Sequence, residues 1–162
     1  MRLQGPRLTL TALSAEELEQ IRWSPEDEDA RALFVQRLRE DPEARGWWVW
    51  LATLFDAEEV GSGGFGGRPG PNRCLTVGYG IREEHRGMGY ATELLTLLTD
   101  WALDQPEVEL VRATIALDNL PSLRVAEKVG FKATGERVHD DEDGELIVFE
   151  RSQALPNARK PA

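Results

Sequence analysis

A glycine-punctuated junction between a strand and a helix constrains this chain more than any other stretch. Leu75 to Ile81 is β-branched and aromatic and reads as a strand. A charged turn, Arg82 to His85, follows, and Arg86-Gly87-Met88-Gly89-Tyr90-Ala91 then runs straight into a helix. Ala91, Leu94, Leu95, Leu98, Trp101 and Ala102 recur at the spacing of one helical face. A helix starts with N–H groups that have no intrahelical partner, and its peptide dipoles add about half a positive charge there. Such an end takes up an anion, most often a phosphate. Gly87 and Gly89 let the backbone approach a ligand closely. An ordinary helix start with two turn glycines is the competing account, and the glycines alone do not separate the two.

The 162 residues suffice for one domain with a real core. With 41% hydrophobic and 30% charged residues the chain is globular rather than disordered. A formal net charge of −10 argues against a nucleic-acid partner, which needs a basic face. Arg68, Arg73, Arg82 and Arg86 are expected around the glycine turn, where they suit either a phosphate or a solvated loop. A single cysteine, Cys74, excludes an internal disulfide and fits a reducing cytoplasm. It reads as a small strand-end residue, because no activating base is evident near it. No apolar run is long enough for a membrane span, and Met-Arg-Leu-Gln-Gly-Pro lacks the apolar core of a signal peptide. Asp140 to Asp143 lack the spacing of a calcium loop, so no metal is expected.

The remaining elements follow in order. Arg7 to Leu10 alternates as a short strand. Ser14-Ala-Glu-Glu17 is a capping box, flanked by Leu13 and Leu18 as a hydrophobic staple. Ser24-Pro25 predicts a second helix with Ala30, Leu33, Phe34 and Leu38 on its inner face, ending before Pro42. Trp47 to Phe55 is an apolar strand; Trp47, Trp48 and Trp50 suit core packing, with a cleft wall as the alternative. Val60 to Gly66 pairs back as a hairpin. Gly61 to Gly66 also matches G-x-G-x-x-G, but Pro69 and Pro71 block the helix that a dinucleotide site requires. Leu110 to Leu117 is a strand, Asn119 caps a helix carrying Leu123, Ala126 and Val129, and Gly130 closes it. Phe131 to His139 and Glu145 to Arg151 form a last hairpin around Asp143-Gly144. Residues 1–151 therefore read as one domain and 152–162 as a polar tail.

Arg86-x-x-Gly89-x-Ala91 after Gly78-Tyr79-x-Ile81 resembles the coenzyme A signature of the GNAT superfamily of acyl-CoA-dependent N-acyltransferases. Asn119-x-x-Ser122, then Glu127-Lys128-Val129-Gly130-Phe131, resembles its second motif. Gly-Tyr-Ala-Thr-Glu and Asn-x-x-Ser are similar to the branch with the ribosomal-protein N-terminal acetyltransferases. The resemblance implies an α/β fold: a single mixed, mostly antiparallel sheet with flanking helices, in the order strand, two helices, three strands, helix, strand, helix, two strands. It implies a sheet splayed between the strand before the glycine turn and the next one. The pantetheine arm pairs in that gap, and Gly78 and Gly80 suit a locally strained strand there.

The implied reaction is acetyl transfer from acetyl-CoA to a primary amine, of a peptide or a small molecule, by a monomer or homodimer. The implied cofactor-binding set is Tyr79, Ile81, Arg86, Gly87, Met88, Gly89, Tyr90, Ala91, Thr92 and Asn119, with an oxyanion donor near Ile81. Proton handling departs from the family. Ala126 stands where many relatives carry a tyrosine that protonates the leaving thiolate. Ser122 matches a serine of the ribosomal-protein branch and is the candidate acid, with a first-turn hydrogen bond as its plainer role. Thr76 replaces a glutamate that serves some relatives as base. Glu83, Glu84 and His85 are expected on the cofactor side, His139 is remote, and no base is named. A non-catalytic acyl-CoA-binding sensor or interaction module is the alternative reading, and a dinucleotide-binding module a third.

Overall fold

The computed structural model describes residues 1–55 and 57–153. Its elements are β1 (Arg2–Gln4), β2 (Thr9–Ala12), α1 (Ala15–Gln20), α2 (Glu28–Glu40), β3 (Val49–Thr53), β4 (Glu59–Phe65), β5 (Cys74–Ile81), α3 (Tyr90–Asp104), β6 (Leu110–Ala116), α4 (Leu120–Lys128), β7 (Lys132–Asp140) and β8 (Gly144–Ser152). They build one sheet in the order β1-β2-β3-β4-β5-β6-β8-β7. All neighbours are antiparallel except β5 and β6. The mixed, mostly antiparallel sheet with flanking helices is the expected fold class.

Alternation in β3 sorts the layers. Trp50 and Ala52 face a large core shared with Leu94, Leu95 and Leu98 of α3 and Ala126 of α4. Val49 and Leu51 face a smaller core shared with Leu18 of α1 and Val35 and Leu38 of α2. The three tryptophans divide the same way. Trp47 and Trp50 pack on Trp101 at 5.0 and 5.2 Å between ring centroids, and Phe65 joins them at 5.8 Å. Trp48 packs on Phe34 of α2 at 5.7 Å. They are core residues and line no cleft described below.

Five local expectations are corrected. The N-terminal strand pairs over Thr9–Ala12, two residues beyond Arg7–Leu10, and a further strand, β1, lies beside it. Three residues with one leucine are too short to display alternation. Pro25–Asp27 forms a 3₁₀ turn before α2, and Ser24 makes no side-chain cap. Instead the Trp23 indole N–H donates to the Asp27 carbonyl at 2.7 Å. The inner face of α2 is Phe34, Val35 and Leu38, while Leu33 is exposed. In the last hairpin Asp140 pairs with Gly144 across a three-residue turn, because Asp140 Oδ1 accepts the N–H groups of Glu142 and Asp143. β8 runs on to Ser152, and residues 154–162 of the expected tail lie outside the described residues. Among the described residues no helix is long and apolar enough to cross a membrane.

Trp50 is fully buried and its indole N–H donates to the Gly46 carbonyl at 2.8 Å. Trp50→Ala should lower the unfolding free energy by about 3–5 kcal/mol in urea denaturation.

Candidate functional site

The parallel ladder between β5 and β6 holds only Cys74–Thr76 against Leu110–Arg112. Beyond Thr76, β5 stays paired with β4, whereas β6 follows β8 along its whole length. The N–H of Arg82 donates to the Val60 carbonyl at 2.9 Å. Hydrogen-bonded residues alternate along an antiparallel pair. Gly80 and Gly78 therefore also bond β4, and the N–H groups of Tyr79 and Ile81 point into the gap that β6 has left. A cleft of about 670 Å³ opens there, walled by β5, the start of α3 and one face of α4. Gly78 and Gly80 are not strained, as neither has positive φ. They simply leave space, since a Cβ at either would meet nothing within 4 Å.

At the floor of the cleft Gly87 and Gly89 take φ +80° and +81°, values that L side chains rarely adopt. Gly89 is the N-cap of α3 and offers no side-chain cap. The first α3 bond runs from the Glu93 N–H to the Gly89 carbonyl at 3.3 Å. Among the described residues, the N–H groups of Gly87 to Thr92 have no protein acceptor. A helix start left open in this way has donors and dipole available to an anion.

The structure redistributes the basic residues. Arg86 lines the cleft, its Nε donating to the Ile81 carbonyl at 3.1 Å. Arg68 pairs with Asp41 at 2.8 Å, Arg73 with Glu109 at 2.6 Å and Arg82 with Glu59 at 2.7 Å. These three do not surround the glycine turn; Arg73 precedes β5 and lies a full strand length away. Arg124 and Lys128 of α4 take their place on the cleft wall. Sequence reasoning missed them, although Pro121, Arg124, Val125 and Lys128 follow i, i+3, i+4, i+7 spacing.

Of the other sequence-predicted residues, Tyr79, Ile81, Tyr90, Ala91, Thr92, Asn119 and Ser122 all line the cleft. Met88 does not; its side chain is exposed. Asn119 caps α4, its Oδ1 accepting the Ser122 N–H at 3.3 Å. The Ser122 hydroxyl meets the Tyr79 hydroxyl at 3.5 Å rather than the helix backbone. Burial pushes the Tyr79 phenol above its ordinary range, and the contact with Ser122 partly offsets this. Ala126 is fully buried and Thr76 sits in the paired part of β5, so neither supplies a proton group to the cleft. His85 is on the cleft, 3.2 Å from Glu58. His139 lies at the exposed β7–β8 hairpin between Asp141 and Glu145.

Glu83 and Glu84 are not on the cleft. They border a second groove of about 510 Å³ with Trp23, Glu26, Asp27 and Ser62. The two depressions meet at Gly80, Ile81 and Arg86, which line both. A donor in one and an acceptor in the other would face each other across Ile81. Glu84 is held below its ordinary pKa by its own backbone N–H and by Arg22 at 3.0 Å, which makes it a weak base.

Two residue groups carry no chemistry here. Gly61 to Phe65 lies inside β4, and no helix follows. Burial pushes the Cys74 thiol up, away from a reactive thiolate. Among the described residues no cluster of histidine, cysteine or acid side chains could hold a metal ion.

Residues 6–132 match the family model described as acetyltransferase (GNAT) domain. The protein named uncharacterized N-acetyltransferase YjdG, from Bacillus subtilis (strain 168), is 33% identical over 104 residues, covering 64% of this chain and 62% of that one. The chain spans 55–65% of the length of the curated relatives it matches. Among solved structures, RimL, a ribosomal L7/L12 alpha-N-protein acetyltransferase in complex with coenzyme A, superposes with a TM-score of 0.73 at 18% identity, covering 94% of this chain and 98% of that one. A mutant of the spermidine N-acetyltransferase SpeG from Vibrio cholerae gives 0.72 at 16% identity, covering 92% and 95%. At these identities the structural likeness concerns the fold.

The partly buried Tyr79 phenol is a reporter inside the cleft, and the chain has only two tyrosines. Tyr79 should titrate above the usual tyrosine value of about 10 in ultraviolet difference spectra, and Ser122→Ala should move it higher. The folded phenol keeps its proton when the unfolded one has lost it. Its contribution to stability is therefore level below about pH 10 and falls as pH rises beyond that.

Proposed function

The chain belongs to the acetyltransferase (GNAT) family, and on that premise we propose that it moves the acetyl group of acetyl-CoA to a primary amine. The observation that carries this reading is the run of unpartnered N–H groups from Gly87 to Thr92, opening into the cleft beside Arg86, Arg124 and Lys128. A diphosphate fits such a turn, because N–H donors and the helix dipole both favour negative charge. The N–H groups of Tyr79 and Ile81 in the gap suit an extended pantetheine arm. Acetyl-CoA supplies the activated acetyl group; the chain's own residues bind, orient and handle protons. The Ile81 N–H is the donor for charge developing on the thioester oxygen. As the neutral amine attacks and the C–S bond breaks, Ser122 passes a proton to the departing thiolate and takes one from the Tyr79 hydroxyl, and the proton that the amine sheds returns to Tyr79 through solvent. Tyr79, Ile81, Arg86, Gly87, Gly89, Tyr90, Ala91, Thr92 and Asn119 form the cofactor set. The exposed Met88 side chain leaves it, and only the Met88 N–H remains.

The amine is assigned to the second groove, where Glu26, Asp27 and Glu83 have no cationic partner among the described residues. At pH 7, freeing a lysine amine costs about 4.6 kcal/mol and freeing an α-amine about 1 kcal/mol. With no strong base at the junction, the low-pKa amine is the easier nucleophile. RimL, by its name, acts on a protein α-amine, and SpeG on spermidine, so the fold accommodates both classes. The fully buried Ala126 favours one rival, a domain that binds acyl-CoA without turnover.

Three measurements test this. Free thiol should appear when the protein, acetyl-CoA and an N-terminal peptide are mixed; binding without thiol release would support the rival. The rate with an α-amino peptide should exceed that with an N-ε-lysine peptide, and a preference for lysine would remove the acceptor assignment. Reversing two exposed charges, Arg124→Glu with Lys128→Glu, should leave the melting temperature of the free protein within a few degrees. It should abolish the rise caused by CoA, which at ~100 times its dissociation constant corresponds to about 2.7 kcal/mol of stabilisation.

A further inference from the structure

Glu93 poses an electrostatic problem for an anion site. It lies in the first turn of α3, beneath the N–H groups of Gly87 to Thr92, with a side chain only 9% exposed. An uncompensated carboxylate there would compete for those donors and repel a phosphate. The N-terminal segment deals with it. Glu93 Oε2 accepts the N–H groups of Arg7 at 2.8 Å and Leu8 at 2.7 Å, and Oε1 accepts Arg7 Nε at 3.0 Å.

Arg7 also reaches the turn itself. Its Nη1 donates to the Met88 carbonyl at 2.6 Å, and its guanidinium lies over the Tyr90 ring, 4.7 Å from the centroid. A Cβ on Gly89 would come within 3.2 Å of Arg7 Nη2. The Met88 carbonyl and the Gly89 N–H belong to one trans-planar peptide, so they point in opposite directions. Holding that carbonyl toward Arg7 turns the Gly89 N–H away from it, toward the cleft that Gly89 lines. Arg7 itself does not line the cleft.

We propose that Arg7 and Glu93 are a positioning pair for the cofactor's diphosphate: Arg7 orients the Met88–Gly89 peptide and cancels the one carboxylate buried under the anion site. The inference rests on the acetyl-CoA reading above. It adds that affinity for the diphosphate is set by a residue outside the cleft, 86 positions in sequence from the carboxylate it pairs with. The planar fork is required, because three directions are satisfied at once: the carboxylate, the carbonyl and the ring face.

The test compares Arg7→Met, Arg7→Lys, Glu93→Gln and the pair Arg7→Met with Glu93→Gln, titrated by NMR with CoA and with pantetheine, which lacks the diphosphate. Arg7→Met should weaken CoA by about tenfold or more while pantetheine changes by less than about twofold, as expected for an unpaired buried carboxylate. Adding Glu93→Gln to Arg7→Met should restore part of the CoA affinity, because the repelling charge is gone. A purely structural tie would instead weaken CoA and pantetheine alike, because neither ligand's site would be held in place. Arg7→Lys keeps the charge but not the fork, and should fold and still bind CoA several-fold more weakly. CoA binding by Arg7→Lys at the wild-type level overturns the proposal even if Arg7→Met does not fold. So does an equal loss of pantetheine, or a double variant no better than Arg7→Met. If the wild-type protein binds no CoA, the acetyl-CoA reading itself fails and takes this inference with it.

Discussion

The three-residue parallel ladder between β5 and β6 is the constraint on which the rest depends. Had those strands stayed paired to their ends, the N–H groups of Tyr79 and Ile81 would be consumed within the sheet. Instead β6 keeps to β8, and the unpaired edge of β5 opens toward the starts of α3 and α4. A polar backbone edge inside a sheet is ordinarily a cost. Here it faces the cleft, where the proposed function gives it an extended ligand as partner. The two hydrophobic cores make this tolerable, since α3 and α4 pack firmly on one face and α1 and α2 on the other.

Charge is arranged around that opening against the average of the chain. The protein carries −10 overall, yet Arg86, Arg124 and Lys128 border the cleft. The acids that sequence proximity puts near the glycine turn are directed elsewhere. Glu83 and Glu84 face the second groove, and Glu93 is bound from below by Arg7 and two backbone N–H groups. One side of the β5 terminus thus favours a polyanion and the other a cation. A thioester and an amine approaching from these two sides would meet at Ile81.

Local signals in the sequence were legible where one residue type has one physical use. The Ser14 capping box, the Asn119 cap and the glycine turn with its positive φ values all form as read. The tryptophans of the apolar strand also take the core positions read for them. The residues that escaped notice act over long sequence separations. Arg68, Arg73 and Arg82 were close to the turn in sequence but found nearer carboxylates in space. Arg7 and Glu93 are 86 positions apart, and no periodicity connects them. The Tyr79–Ser122 contact likewise spans 43 positions and depends on how far β5 and β6 diverge. Pattern finds helices, strands and caps; which side chains converge is decided by topology.

The central claim is that the N–H groups at the start of α3 hold the phosphates of coenzyme A. Amide resonances of the ¹⁵N-labelled protein, followed during a titration with CoA, test it most directly. The account predicts that Gly87 to Thr92 shift together and become protected from hydrogen exchange, with Tyr79 and Ile81 following as the pantetheine arm enters the gap. Saturable binding of CoA that leaves Gly87 to Thr92 unmoved would contradict it.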